Sequence, residues 1–69
     1  MERKSVTSSN VKSVGYDPEK QLLEVEFAGG GVYQYENVSP DAHKAMMAAK
    51  SIGSHVHAHI KPKHKFKKL

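Results

Sequence analysis

Two groups of residues in this chain have the types and spacing to do chemistry. In "GGGVYQYENV", residues 29–38, Tyr33 and Tyr35 stand two apart. Side chains alternate along a strand, so both rings lie on one face, either as half of a core or as an exposed platform on which unpaired bases stack. At the end of the chain, "KPKHKFKKL" sets Lys61, Lys63, Lys65, Lys67 and Lys68 around His64 and Phe66. Ammonium groups pair with phosphates and release their counterions, and a ring among them can stack on a base. Arg3 and Lys4 add positive charge at the other end. The competing reading of the lysines is a solubilising frayed end. Phe66 argues against it, because a purely solvating segment has no use for a ring, although the ring could instead fold back to fill a small core.

The histidines invite a metal reading. His55 and His59 have the i, i+4 spacing that aims two imidazoles at one ion, and His43, His57 and His64 are in the same half of the chain. No motif supplies a third ligand, and the Glu of the metalloprotease pattern is missing, because Val56 and His57 follow His55. No metal or cofactor is expected, and the domain should fold without one. Histidines near lysines also gain charge as pH falls towards about 6, which would strengthen phosphate binding. Catalysis finds little support: the acids form no evident pair in an apolar setting, and Ser8 and Ser9 have no recognisable oxyanion partner. "AGGGV" lacks the Lys-Ser/Thr that would make it a phosphate cradle. Neither an enzyme nor a small-molecule substrate is expected.

At 69 residues the chain reads as one domain. A domain this small buries only about 60% of its unfolded surface, which disfavours a large internal substrate pocket. Without cysteine there is neither a disulfide framework nor a thiolate metal site. The polar "MERKSVTSSN" start shows no signal peptide, and no stretch approaches the roughly 18 apolar residues of a membrane span. A cytoplasmic protein without membrane contact is the expectation. The net charge of +4 is unevenly spread: residues 1–60 are slightly acidic, and the five lysines of 61–69 carry the whole excess. Such a localised field bears on partner choice more than on fold.

The elements that must position these groups follow from pattern. Residues 1–10 lack periodicity and read as a loose arm. "VKSVGYD" reads as a strand and "YDPEK" as a turn, with Asp17 accepting from backbone donors two residues on. In "QLLEVEF", Leu23, Val25 and Phe27 alternate with Leu22, Glu24 and Glu26, the clearest strand signal present. Gly29, Gly30 and Gly31 predict a tight hairpin returning through "VYQY". An even register sum, such as Phe27 opposite Tyr33, would place both tyrosines with the apolar set, and an odd one with the glutamates. The even sum is favoured because it keeps Gln34 off the apolar face. Ser39, Pro40 and Asp41 predict a helix start, with Ala42, Ala45, Met46 and Ala49 on its buried face. "SIGSHVHAHIKP" predicts a short second helix, with Gly53 and Ser54 as a stop and restart and Pro62 at its end.

Taken in order, "VTSSNVKSVGYD", "LEVEF", "GGGVYQY", "NV", "AKSIGS" and "HIKPKHKFKKL" resemble the KTSC domain over nearly the whole chain. That module is found alone in bacterial and phage-type proteins and at the C-terminus of some lysyl-tRNA synthetases. Its Tyr-x-Tyr hallmark is matched by Tyr33 and Tyr35. The resemblance suggests RNA binding and carries over no catalytic residues. It also leads one to expect aromatic residues in the final third where this chain has His55 and His64.

The expected fold is α+β: a three-stranded antiparallel meander covered on one face by two C-terminal helices, ending in a basic extension, 61–69. The expected function is a small nucleic-acid-binding accessory module, RNA favoured over DNA, acting through the lysines of the extension, Arg3 and Lys4, and the Tyr33–Tyr35 face. The alternative is a protein-interaction or regulatory module whose basic end meets an acidic protein partner.

Overall fold

The computed structural model describes residues 3–6 and 10–69. Its elements are β1 (Arg3–Ser5), β2 (Val11–Asp17), β3 (Leu22–Phe27), β4 (Gly31–Tyr35), α1 (Pro40–Met47), α2 (Ile52–His55), a π-helical turn (Val56–Ile60) and β5 (Phe66–Lys68). Among the described residues the sheet is antiparallel and five-stranded, in the order β1-β2-β3-β4-β5. The α+β class stands, but the three-stranded meander is overturned, because both ends of the chain add an edge strand. Arg3–Ser5 of the expected loose arm pairs with β2, and Phe66–Lys68 of the expected extension pairs with β4. The rest of that arm, residues 1, 2 and 7–9, lies outside the described residues.

Turn chemistry sets the central strands. The Asp17 carboxylate accepts from the backbone N–H of Glu19 and Lys20 at 3.0 and 3.3 Å, closing the β2–β3 turn as the sequence predicts. Between β3 and β4, Gly29 and Gly31 take φ of 76° and 86°, left-handed values that favour glycine. The resulting register pairs Leu23 with Tyr35, Val25 with Tyr33 and Phe27 with Gly31. Phe27 thus faces Gly31 rather than Tyr33, but the sum is even, so both tyrosines share the apolar face.

On that face Val14, Leu23, Val25 and Tyr35 form one core with Val11, Val38, Met46, Ile52, Val56 and Ile60. Helix α1 starts where expected: Ser39 Oγ accepts from the Ala42 N–H at 3.1 Å, Pro40 takes the first turn, and Asp41 complements the dipole. Met46 is fully buried, whereas Ala45 of the expected buried stripe is exposed. The expected break at Gly53–Ser54 is also corrected, since Ser51 caps α2 and Gly53 lies inside it. A Cβ on Gly53 would come within 3.0 Å of Asn10 Cβ, so this glycine permits a close approach rather than a stop. The following π turn, closed by the Lys61 N–H to Val56 C=O bond at 2.7 Å, buries Val56 and Ile60.

The opposite face is polar, and no helix among the described residues covers it. There Ser13 Oγ donates to Glu26 at 3.0 Å, Gln34 Nε2 donates to Glu24 at 3.3 Å, and Arg3 lies 3.8 Å from Glu24. No described helix is long and apolar enough to cross a membrane.

Candidate nucleic-acid interface

Strand pairing decides which rings meet. β5 sets Phe66 opposite Tyr35, Lys67 opposite Gln34 and Lys68 opposite Tyr33. Phe66 and Lys68 therefore join the tyrosines on the helix side, and Lys67 joins Gln34 on the polar side. Backbone bonds hold this segment in place: the Glu36 N–H donates to Lys65 C=O and the Leu69 N–H to Val32 C=O, both at 2.8 Å, and His64 Nδ1 lies 2.9 Å from Glu36 C=O. The frayed-end reading of the lysines thus fails for the backbone, while the lysine side chains remain exposed.

The rings form a continuous set. Phe66 lies 5.8 Å from Tyr33 and 5.6 Å from Tyr35, Phe27 meets Tyr33 edge to face at 5.7 Å, and His57 stacks on Phe27 at 5.7 Å. Lys61 Nζ stands 6.0 Å from the Phe66 ring centre, the outer reach of a cation–π contact. The π turn is responsible for much of this, because it spans His57 and ends at Lys61. Such turns recur at functional sites, where the extra residue re-aims side chains.

These residues, with Asn10, Ala28 and Gly30, line an open groove of about 640 Å³, within the range of ligand sites. None of its described lining residues is acidic. The register is the reason, since Glu24 and Glu26 alternate onto the other face of the sheet. Lys68 extends the positive border by lying over Gly31. The groove thus offers aromatic faces, phenol hydroxyls and an ammonium group, a set suited to a flat ligand that carries negative charge.

Of the residues the sequence singles out, Lys61, Phe66, Tyr33 and Tyr35 meet in this groove. Lys63, His64 and Lys65 lie in the segment leading into β5, and Lys67 points to the opposite face. Arg3 and Lys4 are not brought to the site, because β1 is the far edge of the sheet. Phe27, His57 and Asn10 are additions. Phe27 could have been inferred from its alternation with Val25, but the place of His57 depends on the π turn and that of Asn10 on its 2.9 Å bond from the Ala28 N–H.

The histidines disperse into separate local roles. His43 stacks on Tyr16 at 4.3 Å, and His55 packs against His59 at 4.7 Å. Among the described residues no three His, Cys, Asp or Glu side chains converge on a possible metal position. Burial holds His43 below the ordinary imidazole pKa, and burial together with the neighbouring His59 does the same to His55, so these two resist rather than gain charge in mild acid. Burial raises the Tyr35 phenol pKa, and the nearby Tyr33 pushes it the same way, which keeps its proton in place as a donor.

Comparison with known proteins agrees with the fold. Residues 7–66 match the family described as the KTSC domain. An uncharacterized protein of Stutzerimonas stutzeri is 47% identical over 64 residues, covering 93% of this chain and 90% of its own. A lysine–tRNA ligase of Nostoc punctiforme is 38% identical over 61 residues, which is 88% of this chain and 11% of that enzyme. The crystal structure of a KTSC domain protein from Yersinia pestis superposes with a TM-score of 0.93 at 40% identity, covering 99% of this chain and 96% of the other. With its fold and its sequence in agreement, this chain belongs to the KTSC domain family.

Proposed function

We propose that this protein is a small accessory module that binds single-stranded nucleic acid, RNA in preference to DNA. The observation that carries this reading is the docking of the C-terminal segment, which brings exposed Phe66 and Lys61 onto Tyr33 and Tyr35 in a groove with no described acidic lining. Phosphates meet the lysines and bases meet the rings, and the glutamates stay on the other face. The lysine–tRNA ligase among the relatives, an enzyme named for an RNA, supports RNA over DNA.

The affinity is electrostatic in its larger part. If four of the lysines in 61–69 neutralise phosphates of a single strand, log affinity should fall against log salt with a slope near about −3, at about −0.7 per contact. A salt titration of fluorescent single-stranded RNA against the wild type and Lys63→Ala/Lys65→Ala/Lys68→Ala tests this, with the slope expected to flatten by roughly 2. Identical slopes, or RNA displaced by polyglutamate at low concentration, would favour an acidic protein partner instead.

A further inference from the structure

Tyr35 has a feature that core packing does not account for. Its side chain is 2% exposed, yet its hydroxyl makes no hydrogen bond among the described residues. Tyr16 shows the contrast, since its hydroxyl donates to Val38 C=O at 2.6 Å. None of the described residues supplies a comparable acceptor to the Tyr35 hydroxyl. Tyr35 also lines the aromatic groove. A nearly buried phenol in the wall of a cavity, with no partner among the described residues, is a donor available to a ligand acceptor.

We infer that the groove is a pocket for one unpaired RNA base, in which the base lies against the Phe66 and Tyr33 rings and the Tyr35 hydroxyl donates a hydrogen bond to its edge. This rests on the nucleic-acid reading above and adds to it a residue that senses the base rather than the phosphate. Charge selects the occupant: Lys61 at the Phe66 ring and Lys68 over Gly31 suit a ligand that carries its anion beside a flat ring, as a nucleotide does. A paired base would fail, because its faces and its Watson–Crick edge are already engaged within the duplex. Phosphate contacts give affinity without reading the base, so Tyr35 is where preference would arise.

The test uses the full chain, Tyr35→Phe, and two single-stranded RNA oligomers of equal length and charge, one intact and one with abasic positions. Binding is followed by fluorescence anisotropy across a salt series. The wild type should bind the abasic strand about tenfold or more weakly at every salt concentration, the scale of one lost stacking contact. Tyr35→Phe should weaken binding of the intact strand about three- to tenfold without changing the salt slope, the scale of one hydrogen bond, and should leave abasic binding unchanged. The wild-type comparison of the two strands stands by itself if the variant folds poorly. Salt-dependent binding that ignores both the bases and the Tyr35 hydroxyl would overturn the pocket while leaving the electrostatic reading intact. No RNA binding at all would remove both. Equal dependence on Tyr35 for an acidic peptide bearing aromatic side chains, with none for RNA, would also overturn the inference.

Discussion

Tyr35 and Phe66 sit opposite each other on neighbouring strands with rings 5.6 Å apart, yet one is 2% exposed and the other 43%. The difference comes from position in the sheet. β4 is flanked by β3 and β5 and lies under the buried Val56 and Ile60, whereas β5 is an edge with nothing among the described residues beyond it. A chain of 69 residues cannot bury every ring it carries. This one buries the inner ring in the core and leaves the outer ring partly exposed. On the proposed reading, stability and binding separate by one strand, about 5 Å, and that separation can be attacked directly.

The largest effect should come from the inner strand. Tyr35→Ala empties a core position and should destabilise by about 3–5 kcal/mol in urea denaturation, a large part of the stability of a small domain. An unchanged midpoint would mean the ring is not core, and the contrast with Phe66 would collapse. Phe66→Ala removes a side chain only about half buried, so the expected loss is about 1 kcal/mol, together with weaker RNA binding at all salt concentrations. A loss equal to that of Tyr35→Ala would make β5 part of the core, and the site reading would lose its exposed ring.

Replacing Lys63, Lys65 and Lys68 by Ala should move the salt slope and leave the melting temperature where it was, since their exposed side chains contribute little to the fold. The smallest effect concerns pH. The folded state holds the pKa of His43 and His55 below the ordinary 6.5, so the unfolded chain takes up protons first as acid is added. Their contribution is complete above pH 6.5 and declines as pH falls from there towards the folded values. Melting temperature recorded from pH 8 down to 5 should therefore drop modestly, and His43→Gln/His55→Gln should flatten that part of the profile. A melting temperature that rises on acidification would contradict the assignment.

The β3–β4 hairpin and the start of α1 were legible in sequence because their causes are local. Alternation of Leu23, Val25 and Phe27, glycines in the turn, and Ser39–Pro40–Asp41 each act within a few residues. The edge strands were not legible, because "RKS" and "FKK" carry no apolar alternation. They are strands because β2 and β4 present unpaired backbone groups to them, which is a tertiary cause. The same limit applied to the site. Tyr33, Tyr35, Phe66 and Lys61 announced themselves by type, whereas Phe27 and His57 meet only because a π turn re-aims the second helix over the sheet. Gly53 misled for a related reason: a glycine inside a helix looks like a stop until the chain pressed against it, here Asn10, is known.

The central claim is that the helix-side aromatic groove, and not the polar face carrying Glu24 and Glu26, receives the nucleic acid. Amide chemical-shift mapping during titration with single-stranded RNA tests it most directly. The account predicts shifts concentrated at Phe27, Gly30, Tyr33, His57, Lys61 and Phe66, with Ser13, Glu24 and Glu26 unmoved. Shifts centred on the Ser13–Glu26 face, or confined to the lysines with the groove residues silent, would contradict it.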